Sequence, residues 1–235
     1  MELVKEHWTK SDILDFKNYE KTLVGSEKDT YFEQKIVNTK LKCFGRTSTK
    51  AREIAKQIRK GNYQEFLDSN SIDNHLDSLI AAHLISSIKD YDIFEKYIKS
   101  FVLTIDNWAS VDTLKFKKVD KNKLAALSKK FLKSDKTYVR RTGVGMWFEL
   151  IKDEKYFDGA FDVLNGLKNE TEYYVNMCGA WLLAECFAKN RDKTLGYFKN
   201  NCTNDFVVNK AIAKCRDSFR VSKEDKDYLL NFKRK

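Results

Sequence analysis

Between Ser71 and Asp90 the chain reads "SIDNHLDSLIAAHLISSIKD", with apolar Leu76, Leu79, Ile80 and Leu84 three or four residues apart. That spacing lines one face of an α-helix, which turns once every ~3.6 residues. Ser71 stands ahead of the run as its predicted N-cap. The next stretch, "YDIFEKYIKSFVL", carries the same period and reads as a partner helix. Further pairs open near Asp106, Thr137, Thr171 and Asn204, and Ser222 with Asp225 has the form of a capping box before "KDYLLNF". From Ser71 the openings are 35, 31, 34 and 33 residues apart. Hairpins of that period cannot bury their apolar faces alone, so they are expected to stack over a continuous core. Helices are also predicted over 12–24, 27–38 and 48–59, with "KCFGRTSTK" as a loop. The expected fold is all-α, a curved α–α superhelix forming a single domain over 1–235.

Composition sharpens this picture. Proline is absent, where average usage of about 5% predicts roughly twelve. Glycine numbers only nine. Without these turn residues, helices joined by short polar loops are favoured over strands. No apolar run approaches the ~18 residues of a membrane span, and "MELVKEHWTKSD" is charged too early for a signal peptide. A soluble, cytoplasmic monomer is expected. Cys43, Cys178, Cys186, Cys202 and Cys215 are odd in number and lack C-x-x-C spacing, so they read as buried reduced thiols. His75 and His83 lie eight residues apart, about two helical turns, and read as ordinary helix histidines. No metal or cofactor is expected.

Charge changes the picture more. The formal net charge is +10. The segment from Lys115 to Arg141 holds eleven basic residues against Asp120 and Asp135, a local +9, leaving about +1 for the other 208 residues. A local excess of this kind points to a polyanion, nucleic acid first, with a solvated lysine face as the bland alternative.

Ahead of that segment stands "NWASVD". Trp108 and Asp112 are four residues apart, hence on one helical face, with Lys115 three residues further on. Alone, the pair reads as a core tryptophan beside a surface carboxylate. "TYVRRTGVGMWFEL" (137–150) and "ETEYYVNMCGAWLLAECFAKN" (170–190) extend the pattern. So do "KCFGRTSTKAR" and "NKAIAKCRDSFRVSKEDKDYL". In this order and spacing, from about residue 34 onward, the chain resembles the DNA alkylation repair family of HEAT-like-repeat glycosylases, the AlkD type.

The resemblance implies a HEAT-like solenoid whose concave face takes alkylated or otherwise damaged double-stranded DNA and releases a cationic N3- or N7-alkylated purine. It implies that Asp112 is the essential carboxylate, that Trp108 and Trp181 are the active-site tryptophans, and that Arg141 contacts phosphate. Arg140, Lys115, Lys117 and Lys118 are expected to help grip the backbone. Tyr173 and Tyr174 fall at an aromatic pair position without an assigned role. The chemistry is coherent. Alkylation makes the base a good leaving group, and a carboxylate beside the sugar stabilises the oxocarbenium and orients water. Indole faces attract the cationic character. The chain departs from the family at Ala184, where active relatives carry an arginine three residues after the second tryptophan. A catalytically weak relative that binds damaged or branched DNA by shape, and a protein-binding scaffold, are the alternative readings. Gly143 and Gly145 are too sparse for a nucleotide-binding fingerprint and are expected to serve close helix packing.

Overall fold

Polar caps set the ends of the helices. The computed structural model describes residues 1–45, 47–200 and 203–234. Arg46, within the family-like loop, and the Cys202 thiol lie outside the described residues. The described residues contain no strand, and none of their helices is long and apolar enough to cross a membrane. The chain divides into two units, Met1–Asp120 and Lys121–Lys235.

The first unit contains α1 (Lys10–Lys21), α2 (Glu27–Val37), α3 (Thr47–Ile58), α4 (Tyr63–Ser69), α5 (His75–Ile85), α6 (Tyr91–Thr104) and α7 (Trp108–Thr113). Every residue of α5 except His83 is buried. The helix is a central rod against which α3, α6 and α7 pack. Beside it, Phe66 meets Trp8 and Phe16 edge-on, with centroids 4.8 and 5.0 Å away, a favoured aromatic geometry.

The expected cap at Ser71 is displaced. Asn74 caps α5, its side chain accepting from Asp77 N while the Asp77 carboxylate accepts from Asn74 N. The Ser71 hydroxyl instead donates to Asp73 Oδ2 at 2.6 Å. A reciprocal box satisfies two orphan donors at once, which a lone serine cannot do. The box sits beside a second buried carboxyl, Glu20, whose Oε2 accepts from Asn74 Nδ2 at 3.2 Å. Burial, and then the Asp77 charge, push Glu20 up to about 8 despite nearby Lys17.

The second unit contains α8 (Lys121–Phe131), α9 (Thr137–Gly145), α10 (Trp147–Leu150), α11 (Glu154–Phe157), α12 (Gly159–Gly166), α13 (Tyr173–Lys189), α14 (Arg191–Asn200), α15 (Asp205–Asp217) and α16 (Lys223–Tyr228), then a 3-10 turn at Leu229–Phe232. Here α13 is the spine, packed by α9, α14 and α15. Ser222 caps α16 by accepting from Asp225 N. The hairpin opening at Thr137 is less regular than its neighbours. Met146 keeps helical angles (φ −60°, ψ −27°), so α9 and α10 nearly run on, and the short α11 and α12 follow.

Trp147 accounts for much of that departure. Its indole N–H donates to Ser128 Oγ at 2.8 Å, and that hydroxyl donates to Gly143 O at 2.8 Å. The far edge of the ring lies against Gly159, where a Cβ would stand 2.5 Å from Cη2. Gly143 serves close packing as expected, since a Cβ there would meet Leu132 and Phe131 at 3.1 and 3.2 Å. Gly145 does not, because its Cβ would point into open space. Cys43, Cys178, Cys186 and Cys215 are buried free thiols, and burial first of all pushes the latter two up to about 12.

Candidate functional site

The sequence-predicted residues divide between the units. In the first, α7 is only six residues long, too short to persist by its own hydrogen bonds. Its start is fixed by the fully buried Asn107, whose Oδ1 accepts from Ser110 N and Ser110 Oγ, each at 2.9 Å. Ser110 Oγ lies 2.7 Å from Ser78 Oγ on α5. Asp106, one residue earlier, accepts from Thr39 Oγ1 and, at 2.7 Å, from Lys40 N. The loop after α2 is thereby tied to the start of α7.

Trp108 and Asp112 are the first and fifth residues of α7, and both are half-buried. The Trp108 indole N–H donates to Ile36 O in the last turn of α2 at 3.2 Å. The Lys115 ammonium donates to the main-chain carbonyl of Asp112 at 3.0 Å, a favourable place for a cation because helix C-termini are electronegative. Lys115 and Lys117 are exposed, while Lys118 is half-buried and donates to Ser87 O at 3.0 Å.

In the second unit, Trp181 is 39% exposed on α13. Its indole N–H donates to Glu185 Oε1 at 3.3 Å, Phe148 lies 4.8 Å away, and Lys214 Nζ stands 5.8 Å from the ring. Trp181 and the buried Ala184 line a cleft of about 290 Å³ with Glu185, Lys214 and Arg220. Arg220 grips Glu185 with both Nη atoms, at 3.0 and 2.5 Å. Sequence reasoning missed Glu185, Lys214 and Arg220, because the pairing spans 35 residues.

The two arginines of "YVRRT" are engaged within the protein. Arg140 makes a two-point pair with Glu170 (2.7 and 3.1 Å) and donates to Ser134 O at 2.9 Å. Burial alone raises the Glu170 pKa, but the Arg140 bond and main-chain N–H groups outweigh it and hold the carboxyl below its usual range. Arg141 is 4% exposed and donates to Tyr174 O. Tyr174 belongs to an aromatic group with Tyr138 and Tyr173, which in turn meets Phe206.

One cluster of metal-ligand type occurs among the described residues. Glu33, Cys43 and His75 bring their ligand atoms within 4.8 Å of one another. The Glu33 carboxylate already accepts from Gly45 N (2.7 Å), Thr47 Oγ1 and His75 Nδ1 (3.3 Å). Burial, then the Glu33 and Asp106 charges, push the Cys43 thiol up to about 12. The cluster works as a hydrogen-bonded clamp on the loop ahead of α3. His75 and His83 are not drawn into one ligand set: His75 is buried against Glu33, and His83 lines a separate cleft with Arg52 and Arg59.

The model of the DNA alkylation repair enzyme family matches residues 20–215. The chain belongs to that family. The match takes in α7, both predicted tryptophans and Ala184, ending before Arg220 of the same cleft, and it places the chain in DNA repair. Among curated proteins, none matches the chain.

Proposed function

We propose that this family member is an alkylpurine DNA glycosylase, built as a single HEAT-like solenoid that takes duplex DNA. The observation that carries the reading is the α7 turn: an aspartate and a tryptophan one turn apart, both partly open, on a helix held by buried caps. A water-exposed turn needs no tryptophan, and a turn that only packs into the core needs no carboxylate.

In this reading the alkylated purine leaves without prior protonation, because it already carries positive charge. As the N-glycosidic bond breaks, charge passes to the deoxyribose. The Asp112 carboxylate stabilises it and orients the attacking water. Trp108 offers a π-face to the cationic sugar, worth roughly 0.5–2 kcal/mol, and the family resemblance implies the same role for the half-open Trp181. Glu185 holds the Trp181 ring in place through its indole N–H. In this reading the exposed Lys115 and Lys117 meet phosphates, and Arg141 gives up Tyr174 O to do so.

The test is release of 7-methylguanine or 3-methyladenine from methylated duplex by the purified protein. Folded protein in excess that frees no base rejects the reading. A second reading, DNA binding without chemistry, draws on Ala184 and on Arg220, whose charge beside it is held by Glu185. It predicts binding with no base release.

A further inference from the structure

A cluster of positive charge without ion pairs among the described residues of the first unit lies outside the lysine-rich segment. Arg52 and Lys56 on α3, with Arg59 in the turn that follows, project one above another at intervals of four and three residues. With His83 from α5 they line a cleft of about 230 Å³ to which no carboxylate contributes. None of these three cations has a carboxylate within ion-pair distance among the described residues, whereas Lys96 and Lys99 on α6 are paired with Asp68 and Glu95.

The row continues into the α7 exit. Burial, then the charges of Arg52 and Lys115, hold His83 below its usual range. Burial, then those of Arg59, Lys89 and Lys117, do the same to Lys118. Lys115 N donates to Ser86 Oγ at 2.9 Å and Lys118 Nζ to Ser87 O at 3.0 Å, just past the end of the helix that carries His83. The cations following α7 therefore lie near the cleft, and Lys115 Nζ reaches the carbonyl of Asp112. Such crowding is self-repulsive and costs stability unless an anion relieves it.

We infer that the α3–α5 cleft is a phosphate-backbone subsite, with Arg52, Lys56 and Arg59 gripping successive phosphodiesters of one DNA strand that leads to the α7 turn. The spacing suits this ligand. Seven residues of helix rise ~10 Å, about three phosphate-to-phosphate steps of ~3.4 Å along the axis of one strand, within reach of three long, flexible cationic side chains. The inference rests on the duplex-DNA reading above.

The experiment compares wild type, Arg52→Gln/Arg59→Gln and a control, Lys96→Gln/Lys99→Gln, which removes equal charge from paired positions. Fluorescence anisotropy on a methylated duplex is recorded over a salt series, with base release measured at saturating protein. The α3 variant is expected to bind at least ~10-fold more weakly. Its log–log salt slope should be shallower by about 1.8, or about 0.9 per phosphate lost. Base release at saturation should be retained and the control should be unchanged. An α3 variant that binds like wild type, or a control that loses as much, overturns the subsite while leaving the glycosylase reading intact. Wild type that neither binds duplex nor frees base overturns both.

Discussion

Asn107 is the residue whose removal should most clearly separate the placement of α7 from the stability of the rest. It is fully buried and caps a helix of six residues. Asn107→Ala removes the acceptor of two 2.9 Å hydrogen bonds, from Ser110 N and Ser110 Oγ. Loss of a cap costs about 1 kcal/mol. Ser110 is itself fully buried. The donor left without a partner is therefore a buried one, which brings the cost of this cap to about 1–3 kcal/mol, while the Ser110 hydroxyl keeps Ser78 Oγ at 2.7 Å. The expected destabilisation is about 1–3 kcal/mol. Because α7 has no second cap of this kind, the loss should fall there first and carry Trp108 and Asp112 out of register. Urea denaturation followed by far-ultraviolet circular dichroism measures the stability. Base release under conditions where the variant remains folded measures the placement. Asn107→Ser, which keeps a neutral capping acceptor, should restore part of both. A change below ~0.5 kcal/mol in Asn107→Ala, or unimpaired base release, would refute the claim that this side chain positions the turn.

Gly159→Ala drives a methyl against a buried indole edge at 2.5 Å, and should cost about 1–3 kcal/mol as an overpacked core does, read from the thermal midpoint. Glu20 gives a pH dependence of defined sign. With its folded value raised from 4.5 to about 8, the stabilisation it contributes is complete below its unfolded value and is lost as pH rises through the folded one. Stability should therefore fall between those limits by up to about 1.4 kcal/mol per pH unit, and Glu20→Gln should flatten the slope in melts from pH 5 to 8.5. Trp181→Ala should leave stability within about 1 kcal/mol, since the ring is partly exposed, yet slow base release on the order of tenfold, with Trp181→Phe in between.

The parts of this molecule legible in the sequence are those decided over a few residues. The caps at Asn204 and Ser222, the α13 spine, and the shared face of Trp108 and Asp112 follow from local spacing. Ser71 misled because a better cap, Asn74 with Asp77, stood three residues further on. What spacing cannot show is which charges are already spent. Spacing marks Arg140 as one of the basic residues expected to grip the backbone, but gives no sign of its two-point pair with Glu170, thirty residues away. The α3 cations were hidden for the converse reason. Arg52, Lys56 and Arg59 are diluted in sequence by Glu53, and their companions His83 and Lys115 arrive from other elements.

The central claim is that the Asp112 carboxylate acts on the sugar. Single-turnover base release from a methylated duplex, with protein in excess and binding recorded in the same samples, compares wild type with Asp112→Asn. The account predicts a rate lower by on the order of a hundredfold or more, with duplex affinity within about twofold. An Asp112→Asn protein that frees the base as fast as wild type contradicts it.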